Sequence, residues 1–202
     1  DYFFYVHAMV IGKISGRSST NYFEFSVDGF AQKFEYVQVK HREGFEVLAQ
    51  IVEIEKANGE TKAKCNVLGY RSQSDILKNL RTPLEPGAEV NYAGDAFVKQ
   101  TLGLHKTKYG AYVGVLDGRD DISVYLEMNK MISKHVAVLA KTGAGKSYCL
   151  SVLLEEVMQK NVPIIVIDPH GEYSSLKHPT DSLRNLERFR IDPKGFGQRI
   201  VE

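Results

Sequence analysis

Short stretches in which apolar and polar residues alternate occupy the first half of the chain. Each stretch is rich in Val, Ile, Tyr and Phe and ends at Gly, Asn, Asp or Ser, which is typical of half-buried antiparallel strands. Six such stretches within residues 1–102 predict a small closed β-barrel, and a short helix is predicted at residues 75–80. The six predicted strands are "YVHAMVIGKI", "NYFEFSV", "FEYVQVK", "FEVLAQIVEIEK", "KAKCNVLGYR" and "EVNYAGDAFV".

The periodicity changes in the second half of the chain. The segment "YVGVLDGRDDISVYLEM" predicts two strands around an Asp-Gly turn at residues 117–118. Further on, the apolar run "HVAVLA", a helical spacing of leucines over residues 146–160 and the apolar run "VPIIVID" follow one another. Strand, helix and strand with all-apolar strands predict a parallel sheet covered by helices on both faces, and "RFRIDP" is a further strand candidate. The fold class is therefore a β-barrel over residues 1–102 followed by an α/β domain over residues 103–202.

Composition and charge exclude several classes of protein. The chain is 43% apolar, and its 26 basic residues nearly balance 25 acidic ones, so no global basic field points to nucleic acid and any DNA contact must be local. The apolar stretches are shorter than the roughly 20 residues that a membrane span needs, and the N-terminus lacks a signal-peptide layout. Cys65 and Cys149 have no C-x-x-C spacing, which argues against a disulfide framework or a zinc site. We expect a cytoplasmic protein with no membrane partner.

The segment "AKTGAGKS", residues 140–147, fits a phosphate loop between a predicted strand and a predicted helix. Glycines at this point let the backbone N–H groups curl around an anion, and the following helix adds its positive N-terminal end. Lys146 would contact the β- and γ-phosphates, and the Ser147 hydroxyl would bind Mg²⁺. Ala140 replaces the usual leading glycine, which is acceptable if its φ is negative, since a positive φ would cost about 1–2 kcal/mol. The residues expected to contact a nucleoside triphosphate are Thr142, Gly143, Ala144, Gly145, Lys146, Ser147 and Tyr148. The alternative is a glycine-rich turn that binds nothing.

A second motif, "IIVIDPHGEY", places carboxylates near the same edge of the predicted sheet. Asp168 ends an apolar run, so it lies at the C-terminal tip of a predicted parallel strand, where α/β sheets bind ligands. Glu172 follows four positions later, and both carboxylates are predicted to face Mg²⁺–triphosphate directly or through water. The candidate catalytic residues are therefore Lys146, Asp168 and Glu172, and the candidate metal ligands are Ser147 and Asp168. The alternative for Asp168 is a turn or helix cap, and His170 is interpreted as a turn residue.

Two other groups of residues allow two interpretations. Lys134 precedes the predicted strand of the phosphate loop, so it is either a solvated surface charge or, in an oligomer, a group that approaches a neighbour's triphosphate. Alternating aromatic residues in the predicted barrel are interpreted as core rather than as a base-stacking platform. These aromatic residues are Tyr22, Phe23, Phe25, Phe34 and Tyr36.

With "VYLEMNKMISKHVAVLAKTGAGKS" and "VPIIVIDPHGEYSSL" the chain resembles the HerA family, archaeal and bacterial relatives of FtsK-type DNA translocases. The predicted barrel is similar to that family's barrel domain, which resembles the N-terminal barrel of rotary ATP synthase subunits. The resemblance implies a barrel for oligomerisation and partner docking, followed by the N-terminal part of a P-loop, RecA-like ATPase domain. It also implies a homo-hexameric helicase or translocase that hydrolyses ATP with Mg²⁺ to move along double-stranded DNA. A NurA-type nuclease would be its partner in DNA end resection and recombinational repair.

The resemblance also assigns roles and shows departures. By the motif match, Lys146 and Ser147 take the phosphate-loop roles, and Asp168 and Glu172 take those of the DPHGEY segment. The family often has Gly where Ala140 stands, and commonly has Arg where the chain has a lysine at position 134. Family members continue past residue 202 to the strand that bears the water-activating glutamate and to the arginine sensors. We therefore expect this chain to bind Mg²⁺–ATP and to hydrolyse it weakly.

Three other functions remain as alternatives. A rotary-type ATPase subunit shares the order of barrel and phosphate loop but does not explain "DPHGEY". A small-molecule kinase shares the phosphate loop and leaves the barrel unexplained. A non-hydrolysing nucleotide-binding scaffold for a nuclease fits the 202 residues, because hydrolysis needs a positioned water as well as a phosphate cradle.

Overall fold

The computed structural model describes residues 9–181 and 186–201. By its contacts the chain divides into two compact units. The first comprises residues up to Leu104 together with Asp117–Arg119, and the second comprises His105–Leu116 and the residues from Asp120 onward.

The first unit is a closed antiparallel barrel, as the alternating pattern predicts. Among the described strands, the order is β2-β1-β7-β3-β4-β5, and pairing of β5 with β2 closes the ring. Phe23 lies opposite Cys65 at this closure, and Gly12 lies opposite Val90 where the first strand meets the last. A two-residue strand, β6, pairs with the end of β5. The strands are β1 (Val10–Ser18), β2 (Tyr22–Val27), β3 (Tyr36–Lys40), β4 (Glu46–Ala57), β5 (Glu60–Arg71), β6 (Leu77–Lys78) and β7 (Glu89–Tyr92).

The core of this unit fills the barrel because alternate residues of each strand point inward. Phe23 and Phe25 are fully buried and Tyr36 nearly so, which confirms these three aromatic residues as core. Phe34, by contrast, is 41% exposed, so its interpretation as core is wrong, and Tyr22 is half-buried. At Gly12 the neighbouring strand comes so close that an added Cβ would lie 1.9 Å from the carbonyl oxygen of Ser26.

Two predictions within this half of the chain are wrong. Residues 75–80 form no helix, and β6 lies there instead, because the serines before it and Asp75, at a φ of +57°, form a turn that competes with helix. The last predicted strand ends at Tyr92, after which helix α1 (Asp95–Leu102) begins. Glycines at both ends of α1 bound it, the second in the left-handed conformation that ends helices. Residues 5–8 of the first predicted strand lie outside the described residues.

The second unit contains fewer regular elements than the sequence predicts. Strands β8 (Gly110–Leu116) and β9 (Arg119–Glu127) pair around the Asp-Gly turn, as predicted. Helix α3 (Lys146–Gln159) confirms the predicted helix, and it is preceded by α2 (Met128–Ser133). A short helix, α4 (Leu186–Phe189), and 3-10 turns at Ser174–Lys177 and Gly197–Arg199 complete the unit. No helix in the described ranges has the length and apolar content to cross a membrane.

The predicted parallel sheet is not seen. Residues 135–140 and 162–168 are described and neither segment forms a strand, and "RFRIDP" holds the end of α4 rather than a strand. The two apolar segments leave large side chains in solvent, with Leu139 91% and Ile165 94% exposed. A strand exists through hydrogen bonds to a neighbour, so an apolar run predicts a preference for a buried sheet without supplying the partner strand.

Candidate nucleotide-binding site

The phosphate loop, residues 140–147, joins an apolar segment to the start of α3. Gly143 has a φ of +78° and Gly145 a φ of +88°, and both values fall in the left-handed region that glycine adopts without strain. A Cβ placed on either glycine would meet nothing within 4 Å. The backbone conformation, and not lack of space, therefore requires glycine at these two positions.

Ala140 stands where the phosphate-loop pattern has its first glycine. It is absent from the described non-glycine residues that have a positive φ. The alanine therefore carries no left-handed strain, so replacement of the leading glycine by Ala140 is tolerated, as expected for a negative φ.

The N-terminus of α3 is open to an anion. The helix begins at Lys146, so the N–H groups of its first residues have no intrahelical acceptor. The first hydrogen bond of the helix runs from the Cys149 N–H to the Gly145 carbonyl, at 2.9 Å. Gly145 provides no capping side chain, and the first turn has no acidic residue. Neither a capping side chain nor an acidic residue of the first turn therefore compensates the partial positive charge of this helix end.

Three candidate residues line a common cavity of about 380 Å³: Lys146, Asp168 and Glu172. His170 also lines it, and apolar residues of α3 form part of the wall. The structure thus brings the predicted phosphate-binding lysine and both predicted carboxylates around one space. The remaining predicted contacts lie in the exposed loop or the first turn of α3, where Ser147 is half-buried and Tyr148 is exposed.

The acidic turn, residues 168–173, is organised around the Asp168 side chain. Its Oδ1 accepts a hydrogen bond from the His170 N–H at 3.3 Å, and its Oδ2 accepts one from the Tyr173 N–H at 2.9 Å. The hydrogen bond from Tyr173, with further backbone N–H groups of the turn, holds the pKa of the Asp168 carboxyl below its ordinary value. This is the capping arrangement that the sequence leaves open as an alternative. Each carboxylate oxygen has a second lone pair for another donor or a cation.

Two serines after the acidic turn were missed by the sequence analysis. The Ser174 hydroxyl donates to the Gly171 carbonyl at 3.1 Å, and the Ser175 hydroxyl donates to the Glu172 carbonyl at 3.3 Å. Gly171 itself has a φ of +68°. Adjacent serines that follow a Pro-His-Gly turn were a usable signal, because Ser commonly bonds to backbone groups of a nearby turn.

The donor set fits a magnesium-bound triphosphate better than a metal held by protein alone. Within the described ranges no group of three or more His, Cys, Asp or Glu side chains is placed to hold a metal ion. A hydroxyl at Ser147 and carboxylates at the cavity are hard oxygen ligands, and Mg²⁺ in such sites is shared with substrate phosphates. Lys134, which follows α2, is exposed and does not line the cavity with Lys146, so its action on a neighbour stays a prediction.

Comparisons with known proteins agree on one family. A family model described as the central domain of helicase HerA matches residues 111–199. "Probable DNA double-strand break repair helicase HerA" of Methanocaldococcus jannaschii is 38% identical over 174 residues, 84% of this chain and 33% of that protein. "DNA double-strand break repair helicase HerA" of Pyrococcus furiosus is 28% identical over 199 residues, 84% of this chain and 35% of that protein. The chain thus spans about a third of the length of these relatives.

Proposed function

Because the chain belongs to the HerA helicase family, we propose that it acts in an ATP-driven DNA helicase or translocase of double-strand break repair. The names of its relatives support DNA repair and helicase activity. The observation that carries the proposal for this chain is the phosphate loop at the open N-terminus of α3, with Lys146 on the same cavity as two carboxylates.

The residues of the site divide into a basic and an acidic side. On the basic side, the loop N–H groups and the Lys146 ammonium bind and orient the β- and γ-phosphates. The Ser147 hydroxyl would hold Mg²⁺, and Asp168 and Glu172 form the acidic side of the cavity. When bound, Mg²⁺ would neutralise phosphate charge.

The two apolar segments that flank α3 are assigned to a P-loop sheet in this proposal. Residues 136–140 and 163–168, which form no strand in the structure, would be parallel strands of one sheet with α3 as the crossover between them. Their C-terminal ends, at Ala140 and Asp168, then lie at one edge of the sheet, which is the ligand-binding edge of such folds. The apolar side chains that both segments expose support this assignment, because a covered parallel sheet would bury them.

The barrel is assigned to ring formation and docking of a partner, with a NurA-type nuclease as the partner that the family resemblance implies. Met9 and Phe30 are 64% and 67% exposed, and Tyr92 is hydrogen-bonded to the carbonyl oxygens of both. Large apolar side chains exposed on the barrel support a contact surface there. A homo-hexamer around duplex DNA completes the proposal.

Mg²⁺–ATP binding by Lys146→Ala, measured by isothermal titration calorimetry, tests the nucleotide site. The matched control is Lys160→Ala, an exposed lysine at the other end of the same helix. We expect the first variant to lose most of the affinity and the second to bind as wild type, with both folded by circular dichroism. Unchanged affinity in folded Lys146→Ala overturns the nucleotide site.

Phosphate release with and without duplex DNA separates a motor from a scaffold. Turnover that rises with duplex DNA supports the translocase, and ATP binding with no turnover in any condition supports the non-hydrolysing scaffold. A DNA-independent transfer of phosphate to a small molecule supports a kinase.

A further inference from the structure

The acidic turn is closed by one side chain that reaches across it. The carboxylate of Asp168 accepts N–H groups from residue 170 on one side and from residue 173 on the other, so its two bonds span the whole turn. Each bond joins a charged acceptor to a backbone donor, the stronger class of hydrogen bond in proteins. Glu172 lies between the two donors.

Apart from the Asp168 side chain, one backbone hydrogen bond closes this turn, from the Gly171 N–H to the Asp168 carbonyl at 3.4 Å. Residues 169–172 are exposed and belong to no helix or strand, so burial contributes little. Gly171, in the left-handed region, gives the chain a direction that only a few residue types adopt readily. The hydroxyls of Ser174 and Ser175 bind the carbonyl oxygens of residues 171 and 172, and leave the N–H groups to Asp168.

The turn sets where Glu172 lies relative to the phosphate loop. Glu172 lines the cavity that Lys146 also lines. The residue after it, Tyr173, donates the shorter of the two hydrogen bonds to the Asp168 carboxylate. The two backbone donors occupy one lone pair on each oxygen of the Asp168 carboxylate, so a directly bound metal would be confined to the remaining lone pairs.

We propose that Asp168 is a positioning residue that closes the acidic turn and thereby presents Glu172 to the nucleotide, rather than a direct ligand of Mg²⁺. The proposal rests on the nucleotide-binding function proposed above. Its consequence is that Asp168 acts through Glu172, so the effects of the two side chains on the reaction are coupled.

A double-mutant cycle measures that coupling. Asp168→Ala, Glu172→Gln and the double variant are compared by single-turnover ATP hydrolysis with protein in excess, at saturating and limiting Mg²⁺. We expect Asp168→Ala to lower the rate by about tenfold or more in the wild-type background and by less than about twofold when Glu172 is already replaced. The Mg²⁺ concentration for half-maximal rate stays within about twofold, because no metal ligand is lost. Additive rate losses, or a shift of about tenfold in the Mg²⁺ requirement, overturn the proposal in favour of a metal ligand.

The conservative variant and a control sharpen the result. Asp168→Asn keeps one oxygen that accepts an N–H bond, so it is expected to recover part of the rate that Asp168→Ala loses. Asp181→Ala replaces another exposed aspartate of the same unit and is expected to behave as wild type. Equal losses in the Asn and Ala variants contradict the positioning role.

Hydrogen exchange reports on the turn independently of nucleotide. Asp168→Ala should speed exchange of the amides of residues 170 and 173 while the amides of α3 keep their protection, and Glu172→Gln should change neither. Unchanged exchange at residues 170 and 173 overturns the positioning role even if ATP binds. If Lys146→Ala binds ATP like wild type while the exchange result holds, the nucleotide function fails and the structural part of the proposal stands.

Discussion

Replacement of Gly145 by alanine tests whether the backbone of the phosphate loop, more than its side chains, creates the anion site. Gly145 is the N-cap of α3 and has a φ of +88°. A Cβ at this position meets nothing within 4 Å, so the substitution introduces no clash. Its effect is confined to the strain of a left-handed alanine, about 1–2 kcal/mol.

That strain acts on the loop and not on the fold. The loop is exposed, so in free protein it escapes the strain by moving to other conformations, and the conformation that cradles phosphate becomes less populated. Since 1.4 kcal/mol is a factor of ten, the Kd for Mg²⁺–ATP should rise by about 5- to 30-fold. The thermal midpoint should change little, because the loop packs against nothing that the alanine displaces.

The matched control is Gly94→Ala. Gly94 is the N-cap glycine of α1, also has no atoms within 4 Å of an added Cβ, and has a φ of −69° that alanine tolerates. Calorimetric titration of both variants and wild type with Mg²⁺–ATP gives the comparison. Equal affinities for Gly145→Ala and wild type would refute the reasoning, and so would a loss far above 30-fold with an intact fold, since strain alone does not supply it.

Two further predictions concern the barrel and the acidic turn. Gly12→Ala should lower the free energy of unfolding by about 3 kcal/mol or more by chemical denaturation, because its Cβ would lie 1.9 Å from a backbone oxygen, whereas Gly29→Ala, which meets nothing within 4 Å, should be nearly neutral; equal stabilities would contradict the close strand packing. Because the turn lowers the pKa of Asp168, the ionised carboxylate stabilises the turn at pH values above the ordinary pKa of 3.8. This stabilisation is lost as the pH falls through the lowered pKa. The Tyr173 amide proton should therefore titrate in NMR spectra with a midpoint below 3.8, and a midpoint above it would show that the hydrogen bond to the carboxylate is absent.

The barrel could be predicted from sequence because the alternation of apolar and polar residues in each strand indicates which side chains face the core. Alternation at Phe23 and Phe25 identifies the inward face, and short turns join three of the antiparallel pairs among the described strands, β1–β2, β3–β4 and β4–β5, so pattern and pairing agree there. The failures lie where local chemistry outweighs periodicity. Residues 75–80 have helical spacing, but serines and a left-handed Asp75 favour a turn.

For the candidate site, the sequence predicts the conformation of the phosphate loop more fully than the hydrogen bonds of the acidic turn. The spacing of Gly143, Gly145 and Lys146 defines a phosphate loop because the backbone geometry and the helix start depend on those residue types. Asp168 could be placed near the loop but not given its hydrogen-bond partners, because a carboxylate before Pro-His-Gly suits a cap and a metal ligand equally. The parallel sheet could not be predicted securely, since apolar runs state a preference for burial and not which segment pairs beside them.

Closure of the barrel by β1 and β7 constrains how the chain acquires its structure in time. Gly12 pairs with Val90, so the ring cannot close until most of the first unit has been synthesised and a loop of nearly eighty residues has been gathered in. Contacts this distant in sequence are formed late and slow the folding of β-rich domains. During translation the nascent β1 therefore waits with an unpaired edge while later strands emerge, which makes this strand the segment most in need of protection from premature association.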